Sequence, residues 1–485
     1  MLSRRQFLTL AAIATATAAC GQGPTSSTPS PGPANPLRIP PLLQAGADGR
    51  FTLTMKAGTT EFVAGKPAPT WGFNGSYLGP TIRARRGDRI RMRVVNELDE
   101  PTTVHWHGMR LPAKMDGGPH QMIPAGGEWT PEWTIDQPAA TSWYHPHPHG
   151  ETARHVYRGL AGMFLLDDDD DKDEAAGAGL PGEYGVDDIP LVIQDRVIGD
   201  DGTLVEDPVA TWGLMGDRIL VNGTLDAAFQ VTRPAIRFRL LNGSNARKYN
   251  IGFADGRAFH VVGGDAGLLR APVQVTRVSL TPGERIEIVA TFKAGEQALL
   301  RSFAGDLDLD DREFDLLRLD AAPGLEPAAA LPATLSDRPA IEVPAGAKVR
   351  RFTLNGSDAI NGQEMDMTRI DEVVPAGAVE IWEIVNTVYA HNFHIHEVEF
   401  AVLDVDGAKP EPYLAGPKDT VYVPPKATVR LAVRFGEFVD PATPYMYHCH
   451  ILRHEDEGMM GQFVIVTPGT EAQVNRTLPA THQHA

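Results

Sequence analysis

Three segments of this chain share one pattern: a turn, an alternating apolar–polar run, and a closing asparagine. Arg86-Gly87-Asp88 leads into RIRMRVVN ending at Asn96, Arg233-Pro234 into AIRFRLLN ending at Asn242, and Pro375-Ala376-Gly377 into AVEIWEIVN ending at Asn386. Period-2 alternation puts every second side chain on one face, so each run reads as a half-buried strand. Runs of the same kind recur at Arg285 to Phe292 and Ala427 to Phe435, bounded by Gly, Pro and Asn. With 48 Gly and 39 Pro in 485 residues, the chain has the composition of a turn-rich β protein. Helices should be few. Three copies of one β-sandwich are expected, an all-β chain of three consecutive domains.

Other matches sharpen the repeat. His105 follows Asn96 by nine residues and His394 follows Asn386 by eight, whereas the middle copy holds Tyr249 and Asn250 there. Tyr144-His145-Pro146-His147 aligns with Tyr447-His448-Cys449-His450, and Gly162-Met163-Phe164 with Gly461-Gln462-Phe463. Chemistry is therefore expected in the first and third copies. The boundaries read as 45–166 for domain 1, 186–320 for domain 2 (without metal) and 340–470 for domain 3. An acidic connector (167–185) and an Ala/Pro-rich one (321–339) separate them, and a tail covers 471–485.

Histidine carries the chemistry. The chain has 16 His, for which chance gives roughly half a His-x-His pair; six are present. The clusters are His105-Trp106-His107, His145-Pro146-His147, His391-x-x-His394-x-His396, and His448-Cys449-His450 with His454 and Met459 beyond. On a strand, His-x-His places both imidazoles on one face, where they can reach a shared metal. Two His, one Cys thiolate and a weak axial Met form the ligand set of a blue-copper electron-transfer site. His391, Cys449, His454 and Met459 can supply it. His448 and His450 then point away from Cys449, so the cysteine serves one metal and its covalent neighbours serve others. The remaining imidazole-rich set of eight suits copper better than zinc, which takes four ligands.

With these motifs the chain, from about Ala45 to Val466, resembles the multicopper oxidases in their three-domain, laccase-like form. The resemblance implies three cupredoxin domains of Greek-key topology and four copper ions per chain, with a trinuclear cluster between domains 1 and 3. Carried over by motif position, His105 and His394 would hold type 2 copper. His107, His145, His147, His396, His448 and His450 would hold the type 3 pair, and the type 1 site is the one just described. It further implies that Asp116 and Glu455 sit where related bacterial enzymes place proton-delivering carboxylates, which four-electron reduction of dioxygen requires. His149 is expected outside the ligands, His120 and His155 match no motif, and His482 and His484 could at most form a weak surface metal site.

Two substrate readings follow from the resemblance, phenolic or aromatic donors and Cu(I), and a third class is a non-catalytic envelope scaffold. Copper-tolerance oxidases carry a methionine-rich insert in domain 3; here Asn355 to Asp371 holds only Met365 and Met367. An uncovered type 1 edge at His454 is therefore expected. With 62 acidic and 44 basic residues the net charge is −18, which argues against nucleic acid and mildly favours cationic donors, metal ions included.

Ser3-Arg4-Arg5-Gln6-Phe7-Leu8 with the apolar run Thr9 to Ala19 reads as a twin-arginine signal peptide over 1–19. It is too short for a transmembrane span. Cleavage after Ala19, or acylation at Cys20 within Thr17-Ala18-Ala19-Cys20, would both release the flexible linker 20–44. The expected location is the periplasm, cell envelope or exterior, with the export machinery as a partner and a lipid anchor as one of the two endings.

Overall fold

The structure, a computed structural model, describes residues 34–46, 49–168, 179–206 and 212–479. The signal segment, Cys20, residues 169–178 of the acidic connector, His482 and His484 lie outside the described residues. Strands dominate, and the described residues form just two α-helices, α1 (Thr152–Arg158) and α2 (Leu452–Asp456). Six sheets pair into three sandwiches. The first packs the sheet of Thr81–Arg85, Gly162–Asp167, Ala140–His145 and His105–His107 on that of Phe51–Val63, Lys66–Phe73 and Arg89–Asn96. Ile82, Phe164 and Tyr144 from one side meet Leu53, Phe73, Met92 and Val94 from the other in one core. The third repeats this plan, with Val379–Asn386 and Thr428–Arg434 facing Met460–Val466, Tyr445–His448 and His391–Ile395. The fold is all-β and cupredoxin-like, as the repeat and the resemblance lead one to expect.

The closing asparagines explain why the repeat is legible. Nδ2 of Asn96 donates to the carbonyls of Glu100, Ile123 and Pro124, while its Oδ1 accepts from the Leu98 amide. Asn386 makes the matching set with Tyr389, Val423, Pro424 and Val388. Asn242 does so with Arg247, Leu280 and Ser244. Each is a buried side chain that saturates the corner after its strand, which no apolar residue could do. In domains 1 and 3 that corner leads into the strand bearing the first histidines.

Alternation also reports where a domain is covered. Ile90, Met92 and Val94 are buried while Arg89 and Arg93 are exposed, as in a sandwich wetted on one side. In the middle strand Ala235–Asn242 the polar face is buried too. Arg239 lies in a bidentate pair with Asp188, Arg237 binds Glu287, and Glu287 accepts from the Thr141 hydroxyl of domain 1 at 2.6 Å. The middle domain is thus clamped to the first through buried, mutually neutralised charges. Domains 1 and 3 meet beside the histidines, where the Asp456 carboxylate accepts the amides of Thr152 and Ala153 at the start of α1 (2.8 and 2.9 Å).

Part of the expected linker is ordered. Asn35–Pro36 pairs with Ala227–Ala228 of the middle domain, and Leu42–Leu43 with Thr81–Ile82 of the first. Open sheet edges bind extended chain whatever its composition, which overrides the flexibility that Gly, Ser and Pro suggest. The Ala/Pro-rich connector is likewise pinned by Leu335, buried against Val262, Leu268 and Val289. In the tail, Leu478 packs on Ile370 and Val464.

Candidate metal centres

Strand register assembles the histidines. His105 and His145 face each other across His105–His107 and Ala140–His145, and His394 faces His448 in the third domain. The two domains then stack rings: His105 on His396 with centroids 3.8 Å apart, and His107 on His394 at 3.7 Å. All eight predicted cluster histidines are buried. Donor atoms converge in three groups relevant here, His105–His107–His145, His105–His394–His396 and His147–His396–His448, each within 4.8 Å. His450 sits against His107 and His145, with centroids 5.1 and 5.3 Å apart.

Outer hydrogen bonds leave inner nitrogens bare. Nδ1 of His105, His145, His394 and His448 donates to the carbonyls of Asp116, Pro146, Asp419 and Cys449 (2.8–3.1 Å). Nε2 of His107 instead donates to Asp419 Oδ1 at 3.1 Å. The opposite atoms, among them His105 Nε2, His107 Nδ1, His145 Nε2 and His394 Nε2, are buried without a partner, as are both nitrogens of His450. Nε2 of His147 and His396 lie 3.2 and 3.3 Å from His448 Nε2. A buried orphan nitrogen costs about 1–3 kcal/mol, so this many lone pairs pointing inward fit metal ions and little else. Burial, with the neighbouring imidazoles, holds His105, His107, His394 and His396 well below the ordinary 6.5. These rings are neutral, as ligands must be.

The second centre lies at Cys449, the one cysteine among the described residues. Its Sγ is 3.6 Å from His391 Nδ1 and 3.5 Å from His454 Nδ1, and these three donors form a compact group. Met459 is buried in the same core, and its amide and carbonyl bond to the His454 carbonyl and Cys449 amide. Burial pushes the thiol up to about 12, so only a bound cation would hold the thiolate here. The residues present fit copper of the blue type.

Two profiles described as multicopper oxidase match the chain, over residues 54–171 and 337–469. The "Multicopper oxidase mco" of Staphylococcus aureus is 34% identical over 443 residues, covering 89% of this chain and 92% of that protein. The chain belongs to the multicopper oxidase family. It is also similar to "Cell division protein FtsP" of Dickeya dadantii (36% identity, 96% and 98% of the two chains). The crystal structure of a laccase from Pediococcus acidilactici superposes with a TM-score of 0.82 at 38% identity, covering 90% and 94%. Membership makes the protein an oxidoreductase of a copper-binding family.

In this oxidase, the two carboxylates predicted beside the cluster are there. Asp116 is buried, hydrogen-bonds His396 Nδ1 through Oδ2 at 2.8 Å, and leaves Oδ1 unpartnered. Burial raises it well above the ordinary carboxyl range. Glu455 Oε1 and Oε2 lie 3.3 Å from His147 Nδ1 and 3.2 Å from His448 Nδ1. Burial opposes its ionisation, yet those imidazoles hold it well below the usual range. The two acids are thus pushed in opposite directions, Asp116 up by burial and Glu455 down by its imidazole neighbours.

Other expectations need correction. The edge of His454 is covered: its ring is buried beneath Tyr389 and Trp212, at 5.8 and 6.3 Å between centroids, and Trp212 Nε1 donates to Asp308 Oδ2 at 3.3 Å. Tyr389 belongs to the third domain, but Trp212 comes from the middle domain, which the third domain's own sequence cannot reveal. Met365 and Met367 are half-buried in an irregular segment. His149 is exposed. His120 meets Gln462 Oε1 at 2.7 Å, and His155 bridges Thr102 and Glu100 inside α1. Sequence reasoning missed Asn392, whose Oδ1 faces Cys449 Sγ at 3.5 Å and accepts the His450 amide at 2.7 Å. It also missed Asp419 and Arg285; the only available signal was position, Asn392 lying between His391 and His394.

Proposed function

We propose that this chain is a four-copper oxidase that takes electrons one at a time from small phenolic, aromatic or metal-ion donors and reduces dioxygen to water. The observation that carries the reading is the convergence of buried donor atoms at Cys449 and at the histidine cluster, where inward nitrogens of His105, His107, His145, His394 and His450 lack any partner. In it, His391, Cys449, His454 and Met459 hold type 1 copper; His105 and His394 hold type 2. The triads His107–His145–His450 and His147–His396–His448 hold the type 3 pair. The coppers supply one-electron acceptance at the first site and four-electron delivery to dioxygen at the second.

The chain's own residues do the rest. Cys449 is joined to His448 and His450 by single peptide links, so the two centres share a short covalent path. Asp116 supplies a proton from beside His396, and Glu455 relays protons from the far side, four accompanying the four electrons. A donor meets Trp212 and Tyr389 before His454, which favours flat aromatic molecules that can stack on these rings.

The twin-arginine pattern supports export in folded form to the periplasm or envelope, with cleavage at Ala19 or lipid attachment at Cys20 as the two endings. Among the described residues no helix is long and apolar enough to cross a membrane. A second reading is favoured by the relatives named for cell division: an envelope assembly role in which turnover is secondary. A dedicated Cu(I) oxidase is the third, and the sparse methionines of Asn355 to Asp371 weigh against it. One experiment separates them: copper content together with turnover on a phenol and on Cu(I), with and without added copper. Full copper with phenol turnover supports the first reading. Turnover on Cu(I) alone supports the third, and four bound coppers without turnover on either donor the second. About one copper per chain overturns the four-copper assignment.

A further inference from the structure

The middle domain donates no histidine to the cluster, yet its turn Thr281–Glu284 and the adjoining Arg285 reach the cluster's edge. Arg285 is fully buried. Its Nη1 and Nη2 donate to Oδ1 and Oδ2 of Asp419 in domain 3, at 2.8 and 2.5 Å, and its Nε donates to the Thr141 carbonyl of domain 1 at 2.8 Å. One guanidinium therefore ties all three domains together. Asp419 in turn holds two rings that stack on each other: His107 Nε2 on its carboxylate and His394 Nδ1 on its carbonyl.

We propose that Arg285 is a positioning residue for the histidine cluster, fixing Asp419 so that His107 presents Nδ1 and His394 presents Nε2 to the metal. The inference rests on the copper reading above. A carboxylate can rotate about its Cα–Cβ and Cβ–Cγ bonds; a bidentate guanidinium fork removes that freedom and balances its buried charge. With Asp419 held, and with the Thr420 hydroxyl that donates to its Oδ1 lying 3.2 and 3.1 Å from the same two nitrogens, opposite ring nitrogens are set free on two ligands from two domains. Lysine could neutralise the charge but not set the plane. The surroundings are shaped for the pair. A Cβ on Gly108, next to His107 and at φ +83°, would lie 2.6 Å from Arg285 Nη2 and 2.9 Å from Asp419 Oδ2. A Cβ on Gly283 would lie 2.8 Å from the His450 ring. The middle domain's turn is thus fitted against ligands from both partners.

Partners that orient metal-binding imidazoles typically change metal affinity by about 10–100-fold. The test is Arg285→Met and Arg285→Lys, loaded with copper beside the parent protein and read by copper content, type 2 electron paramagnetic resonance and the blue absorption of Cys449. Expected is a blue Arg285→Met protein whose type 2 signal is lost or displaced and whose cluster copper dissociates at about 10–100-fold lower chelator concentration, with Arg285→Lys between it and the parent. Arg285→Met with the parent's type 2 signal and copper retention overturns the proposal. Should Arg285→Met not fold, Asp419→Asn decides: the same selective change supports the proposal and a parental signal overturns it. A parent protein lacking a type 2 signal would instead remove the copper reading itself, so the two failures are told apart.

Discussion

His448 donates its Nδ1 proton to the carbonyl of Cys449 at 3.1 Å, joining for a second time two residues already joined by a peptide bond. In domain 1, His145 makes the matching bond to the carbonyl of Pro146 at 2.8 Å. The repeat thus copies a ring-orienting bond as well as a strand. In domain 3 the bond also links the two candidate centres, since the ring that faces the cluster is oriented by the backbone of the residue that faces His391 and His454. Proline in domain 1 can accept such a bond as well as cysteine does, because only the carbonyl is used.

Replacing the thiol tests the type 1 assignment. Cys449→Ser keeps size and burial but offers a hydroxyl that remains protonated, so blue absorption should vanish and copper content should fall by one ion while the cluster's histidines stay filled. Visible spectra and metal analysis of the purified variant check this. A blue Cys449→Ser protein would sink the assignment.

Asp116→Asn should retain copper and slow dioxygen reduction by about 10²- to 10⁴-fold, the usual worth of a positioned proton donor. The amide oxygen can still accept from His396, so orientation survives while the transferable proton is lost. Rapid mixing of the reduced protein with dioxygen isolates that step from donor oxidation. Equal rates in variant and parent would reject the proton role. Glu455→Gln should slow dioxygen reduction comparably, since it removes the carboxylate held between His147 Nδ1 and His448 Nδ1.

The readable part of the molecule was whatever is written at fixed spacing. Asn96 and Asn386 announce corners, and His105/His107 or His448/His450 announce a shared strand face, because period 2 survives any packing. Asp419 and Arg285 carry no such mark. They lie 134 positions apart and meet only through the docking of two domains. The burial of His454 was illegible for the same reason, Trp212 arriving from the middle domain. Asn35–Pro36 and Leu42–Leu43 looked like linker because an edge pairing is decided by the partner sheet.

Two matching glycines offer a test of packing. Gly162 pairs with Tyr144 and Gly461 with Tyr447 across antiparallel strands, and an added Cβ would lie 2.3 and 2.4 Å from Cζ of the tyrosine rings. Overpacking of this kind costs about 1–3 kcal/mol. Gly162→Ala should be the worse of the two. Tyr144 is also pressed by Gly79, where a Cβ would lie 2.3 Å from its hydroxyl, which itself donates to the Pro80 carbonyl at 2.6 Å. Tyr144 therefore has nowhere to move. Thermal unfolding of the two variants beside the parent ranks them, and an unchanged Tm for Gly162→Ala would contradict the packing argument.

The clamp between domains 1 and 2 sets an acid limit. Glu287 is buried, which alone would raise its carboxyl, but Arg237 and Arg239 hold it down at about 2, against an ordinary 4.5. A folded-state value below the unfolded one means the carboxylate's contribution is complete above pH 4.5 and is lost as pH falls toward 2. Once protonated, Glu287 leaves two buried guanidiniums short of one counter-charge and weakens its contact with Thr141. Parent stability in urea should therefore drop across that interval. Glu287→Gln should be less stable at neutral pH by about 3–5 kcal/mol, the cost of breaking a buried pair, and should show a shallower decline with acid. Urea midpoints measured from pH 7 down to pH 3 distinguish the two proteins, and parallel declines would show that other carboxylates set the limit.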